Sequence, residues 1–292
     1  MSAAQVIGHE HAPVNLLAVT EAVPDAGAIV WWRLSGDVTL LALAAAWEAA
    51  GLPDVALPSL PGDAAALSHA VHSVAERRTL SRPLADGGRA LVREHADGAD
   101  LDYDVSLRAR VSEGGVLTLD PPDHPDAATV RDAFNAARQN LGEGRVGGWL
   151  VRLVARVDGI RLRDGGGVYF VPATRVAEWR RMAGALMAAH PAHRVNLVPA
   201  LRAEDAVAAV LDALSVEADA TAVEMLEGVD DLTARRTEGR VARTEAMLAK
   251  VARYEALLGQ KAGDGAGRLE ALRGSLAAAA LAKFAAEEEA GA

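Results

Sequence analysis

The chain contains no cysteine. That one absence excludes disulfides, thiolate metal centres and a cysteine nucleophile. Aromatic residues make up only 4%, so a core cannot rest on large rings and has to be packed from aliphatic and alanine side chains, mostly on helices. No apolar run approaches the ~18 residues of a membrane span. The stretch Met1–Pro13 lacks the basic and apolar regions of a secretory leader. Several motifs are missing too. The Asp164–Gly167 loop fits neither the G-x-x-x-x-G-K-[ST] phosphate loop nor G-x-G-x-x-G, and the chain has no H-E-x-x-H and no G-x-S-x-G elbow. These gaps point away from an enzyme, and no cofactor is expected.

What is present is the balance of a folded soluble protein: 51% apolar and 24% charged residues in a chain of 292. The expectation is a cytoplasmic protein. Its length suits about two domains with an extension. The net charge of −10 argues against a protein that coats nucleic acid over its whole surface. The average conceals a partition, however. Between Arg145 and Arg181 eight arginines face three acids, a local excess of +5. By contrast, the first sixty residues hold Arg33 as their only lysine or arginine. From Ala203 to Leu232 every charged residue is acidic, whereas arginine dominates from Arg235 to Arg253. Acid first and base last complements a helix dipole. It also equips a long helix to meet oppositely charged helices, in its own chain or in another.

Patterning predicts an α+β fold with three parts. Residues 1–122 read as an N-terminal α+β domain with an antiparallel meander, preceded by a loose lead-in with a short strand at Asn15–Val19. Ile29–Leu34 reads as a strand, Asp37 as the cap of a helix through Trp47, and Asp63 as the start of another. Leu101, Tyr103, Val105, Leu107, Ala109 and Val111 alternate with polar residues, which predicts a strand with one dry face and one wet face. Residues 123–202 read as a small central domain of helix, β-hairpin and helix. Its hairpin runs from Ile160 through Asp164-Gly165-Gly166-Gly167 to Val171. Residues 203–292 read as a long helix, with interruptions expected at Gly228 and Gly239, followed by a helical hairpin with a frayed end at Glu287–Glu289.

Candidate functional residues fall in two groups. Arg152 and Arg156 share a helix face, and Arg161 and Arg163 share a strand face next to the turn glycines Gly165 and Gly166. Converging guanidinium groups suit phosphate contacts, so DNA or RNA is the expected partner. An ordinary solvated arginine face, or pairing with the acidic helix, is the alternative. Met247, Val251, Tyr254 and Leu258 repeat at coiled-coil spacing for about two heptads and predict self-association through the C-terminal helices. Other constellations read more simply as structure. His69, His72 and Glu76 lie on one helix face without a metal motif. Asp102 and Asp104 sit on the wet side of a strand. His9-Glu10-His11 falls in the lead-in, and His190 and His193 at a helix end, where a cationic imidazole is favoured. Of the adjacent Trp31 and Trp32, one should face the core and the other the opposite side of the strand.

The stretch Gly165–Pro172, preceded by Arg161-Leu162-Arg163, resembles a signature of a family of uncharacterised phage and bacterial proteins. The resemblance covers about residues 145 to 200 and extends to Trp32-Arg33-Leu34-Ser35-Gly36. It implies a phage-type or mobile-element setting and assigns no catalytic residue. Two functions follow as expectations: a non-enzymatic nucleic-acid-associated accessory protein, or a scaffold with no nucleic-acid role.

Overall fold

The computed structural model describes residues 25–76, 79–97, 100–163 and 165–291. Helices and antiparallel sheets are mixed within it, an α+β fold ending in a pair of long helices. The chain gathers into two compact units assembled from separated stretches. One takes the described chain up to Trp31, Val154–Ala177 and Asn196 onward; the other takes Trp32–Leu153 and Glu178–Val195. The linear sequence divisions at 122 and 202 do not capture this interleaving. The expected strand at Asn15–Val19 and the His9–His11 cluster lie outside the described residues.

The first unit rests on a four-stranded sheet in the order β10 (Arg194–Leu201), β1 (Asp25–Arg33), β9 (Tyr169–Pro172) and β8 (Ile160–Arg161). Strands β1 and β9 are antiparallel, with Ile29 opposite Phe170 and Gly27 opposite Pro172. At Gly27 the backbones come so close that a Cβ would run into the Val171 carbonyl oxygen and lie 2.7 Å from Phe170 Cζ. Three helices supply the other half of this core: α6 (Glu204–Leu226), α7 (Ala234–Leu258) and α8 (Gly265–Gly291). Ala26, Ile160 and Phe170 from the strands join Val207, Leu214, Val251, Tyr254 and Leu269 from the helices in one buried cluster.

Gly228 does end a helix, at a φ of 61° that lets the chain turn through a short 3-10 segment at Val229–Asp231. Helix α7, however, runs straight through Gly239. One glycine costs only about 1 kcal/mol within a helix, less than the packing of this one supplies. Lys283 on α8 donates to the carbonyls of Val229, Asp230 and Leu232 at 3.0, 2.8 and 2.7 Å. Glu287 accepts the Ala234 N–H at 3.0 Å. The end expected to fray is therefore helical, and its carboxylate caps one of the orphan amides that open α7.

The second unit contains the meander β3 (Thr79–Pro83), β4 (Arg89–Asp97), β5 (Asp100–Val111) and β6 (Leu117–Asp120), paired in that order. Helices α2 (Asp63–Ser73) and α3 (Ala127–Ala137) cover one face. Leu67, Val71, Val130 and Phe134 pack there on Leu91, Leu107 and Leu119. The long alternation in β5 does not give a single dry face. Leu91 lies opposite Leu107 but Val92 lies opposite Val105, so a bulge takes up one residue of β5. Every side chain before the bulge changes sides. Leu107 is 1% exposed, whereas Val105 and Tyr103 are 41% and 51% exposed.

Helix α1 (Leu40–Ala49) starts from Thr39, whose hydroxyl accepts the Ala42 N–H at 3.1 Å; the cap is thus Thr39 and not Asp37. Thr39 also belongs to a short ribbon, β2 (Val38–Thr39) with β7 (Asn140–Leu141), at the entry to α4 (Glu143–Arg156). Trp47 and Trp149 pack with ring centroids 4.7 Å apart and planes tilted by 51°. Their indole N–H groups donate to Val55 O and Ala56 O at 3.1 and 2.9 Å, and so pin the proline-rich link between α1 and α2. Helix α5 (Ala173–Ala189) contributes Trp179, which lies 6.2 Å from Trp32, while Trp31 is 37% exposed.

Candidate functional site

The basic hairpin forms in the register its sequence calls for, with Ile160 opposite Phe170 and Arg161 opposite Tyr169. Leu162 and Val168 continue the pairing through an N–H···O bond of 3.0 Å. Gly165 takes a φ of 67°, and the Gly166 N–H donates to Arg163 O at 3.4 Å. A Cβ on Gly166 would sit 3.1 Å from the Arg163 side chain. Both glycines are thus accounted for by closing the turn and letting the arginine pass. Arg161 and Arg163 are exposed. The Arg161 guanidinium lies 5.7 Å from the centre of the Tyr169 ring and donates to its hydroxyl at 3.4 Å. Such stacking orders the side chain before any ligand arrives. Arg156 is exposed at the last residue of α4, where its carbonyl accepts from Arg175. Arg152, also exposed, belongs to the other compact unit.

The acidic helix finds its cations nearby in sequence, within the same unit. Asp219 pairs with Arg268 at 2.5 Å, Glu224 with Arg243 at 2.9 Å and Glu217 with Lys250 at 2.7 Å. Arg240 donates to the carbonyls of Met225 and Glu227 where α6 ends. The charge sorting of the last third is thus answered by α7 and α8 folding back on α6. Met247, Val251, Tyr254 and Leu258 are 6%, 2%, 1% and 5% exposed. They point into the core of their own chain, against α6 and the sheet. The seam read as intermolecular is used within the chain.

Lys250 and Tyr254 also hold the turn that leads into the hairpin. Asp158 has a φ of 58° without being glycine, a costly backbone state. Around it, Lys250 Nζ donates to Gly159 O at 2.9 Å and Tyr254 Oη to Asp158 O at 2.6 Å. Arg253 pairs with the Asp158 carboxylate at 2.7 Å. Burial, together with Glu217 and Asp158 nearby, pushes the Tyr254 phenol well above its usual range, so it stays a donor.

In the second unit one of the two helix-end histidines is withdrawn from solvent. His193 is fully buried and stacks on His190 with ring centroids 4.6 Å apart. Its Nδ1 accepts the Ser35 N–H at 3.2 Å, and Gly36 N–H donates to Glu143 Oε1 at 2.9 Å. Burial, then the neighbouring His190, lowers the His193 pKa, with Glu143 opposing. The turn borders an open cleft of about 350 Å³ lined by Asp37, His69, Asn140, Glu143 and Arg145. The Trp32–Gly36 stretch was visible as a motif, but nothing local in sequence ties it to a histidine 158 positions away. His69 and His72 are exposed on α2, Glu76 is exposed beyond its end at Ser73, so the three do not share one helix face, and Asp104 is exposed opposite Arg93. Asp102 has no described side chain. Among the described residues, no group of three histidines or carboxylates is placed to hold a metal ion. No helix among them is long and apolar enough to cross a membrane.

No curated protein and no solved structure matches the chain. Residues 26–287 do match a family of unknown function, which takes in both β1 and most of α8 along with everything between; the chain belongs to that family, DUF6744.

Proposed function

We propose that the protein is a non-enzymatic nucleic-acid-associated accessory factor of the phage or mobile-element type, with the hairpin Ile160–Pro172 as its backbone-binding element. The observation that carries this reading is the division of charge in the first unit. Acids of α6 are engaged by α7 and α8, while Arg161 and Arg163 face solvent on either side of the strand's exit into a tight turn. A guanidinium ordered by Tyr169 is suited to phosphate, and a narrow hairpin is a shape that fits a groove. The test is fluorescence anisotropy with labelled single- and double-stranded DNA and RNA over a salt series. Binding should weaken steeply with salt, and Arg161→Glu with Arg163→Glu should remove about two from the log–log slope, near one per lost phosphate contact. Absence of binding at low salt, or binding that both variants retain, would overturn the proposal.

A second reading, an assembly protein that self-associates through its C-terminal helices, draws on a different observation. Val216, Val223 and Leu226 are 52%, 69% and 55% exposed along α6. With the 247–258 seam buried, this is the apolar stripe an oligomer would use. Light scattering on the anisotropy samples separates the two, since an assembly protein gives a defined oligomer with no nucleic acid present.

A further inference from the structure

We propose that the Ser35–Asp37 turn is a proton-released latch, docked while His193 is neutral and freed when His193 takes up a second proton. The geometry requires a neutral ring. Nδ1 accepts the Ser35 N–H, so it carries no proton, and the ring's single hydrogen must sit on Nε2. That Nε2 is buried with no partner among the described residues, as is Nδ1 of His190. Protonation would put N–H against N–H at the Ser35 contact and a full charge in a fully buried position.

The groups facing His193 set the direction. His190, at the end of α5, repels a second positive charge. Arg194, which opens β10, donates to the His193 carbonyl at 2.9 Å and adds a cation nearby. Glu143, at the start of α4, is the opposing acid. Glu143 is already engaged, because its Oε1 holds the next amide of the same turn, that of Gly36. Gly36 itself has a φ of 76°, and a Cβ there would stand 3.4 Å from the His190 ring. Two consecutive amides are thus held by a histidine nitrogen and a carboxylate oxygen, and the histidine nitrogen can do so only while unprotonated. Because the folded pKa lies below the ordinary value of 6.5, the latch holds fully above that value. It is lost as pH falls from there through the folded pKa. Release frees Asp37 and Glu143, two of the residues that line the adjoining cleft.

Amide hydrogen exchange of the full chain, corrected for intrinsic rates, tests this at pH 7.5 and pH 5. The Ser35 and Gly36 protection factors should fall at least tenfold, while those of Leu91 and Leu107 hold. His193→Asn supplies an oxygen near the position of Nδ1 that does not titrate, and should leave both protection factors flat with pH. His190→Asn removes the ring whose repulsion lowers the His193 pKa and should move the release to higher pH. Equal Ser35 protection at both pH values, or an equal fall in His193→Asn, would overturn the proposal. Should that variant not fold, NMR titration of the His193 ring in the native chain decides. A midpoint below 6.5 accompanied by movement of the Ser35 amide supports the latch, and a midpoint at or above 6.5, or a still amide, refutes it.

Discussion

Replacing Lys250 with methionine should destabilise the first unit by about 2 kcal/mol. The side chain is 11% exposed, and its ammonium makes two bonds, to Glu217 Oε1 at 2.7 Å and to Gly159 O at 2.9 Å. Methionine keeps the bulk and removes both. The Gly159 carbonyl is then buried without a donor, a loss of about 1–2 kcal/mol. The Glu217 side chain is 38% exposed and rehydrates, so its loss is held to about 1 kcal/mol. Relief of the buried ammonium's desolvation offsets part of the sum. Lys250→Ala also deletes buried methylenes at about 0.8 kcal/mol each, which brings the total near 4 kcal/mol. Urea unfolding of wild type, Lys250→Met, Glu217→Gln and the double variant measures these losses and a coupling of about 1 kcal/mol between the pair. A methionine variant as stable as wild type would refute the reasoning, because the tie would then cost as much in desolvation as it contributes.

Two further substitutions probe the fold. Gly27→Ala should lower stability by about 3 kcal/mol in thermal unfolding, since its Cβ meets the backbone of the paired strand β9 and neither strand can retreat alone. Val105→Asp should cost less than about 1 kcal/mol, whereas Leu107→Asp, two residues on, should abolish folding of the second unit. Circular dichroism of the two β5 variants checks this, and equal damage from both would mean that the bulge does not change the face.

Most helices were legible because their apolar spacing and end signals agree. Gly228 and Gly259 sit where the φ values of 61° and 73° require them. Gly239 misled because a glycine in sequence does not reveal whether its helix is packed well enough to continue. Strand β5 was legible as a strand but not as to its faces. Strict alternation assumes a regular ladder, and here β5 carries an extra residue, Ser106, where Leu91 and Val92 face Leu107 and Val105. For the same reason the apolar seam of α7 was legible as a seam but not as to its partner. Spacing shows that Met247 to Leu258 face something, and only tertiary structure shows that it is the chain's own α6 and sheet. The basic hairpin was local and readable. Residues Ser35 and His193 were not, because their bond depends on how the second unit closes.

The pairing of β1 with β9 joins Gly27 to Pro172, so β1 waits for a partner made roughly 140 residues later. At about 5–20 residues per second of synthesis, that is a delay of some 7–30 seconds. Over this interval Ile29-Val30-Trp31-Trp32 stands as an unpaired apolar segment, the kind of sequence that nascent chains bind to each other or that chaperones hold. Closing such a long loop is also slow in refolding. The interleaved build of the first unit therefore places its main hazard in the time before folding, at the opposite end of the chain from the helices that complete it.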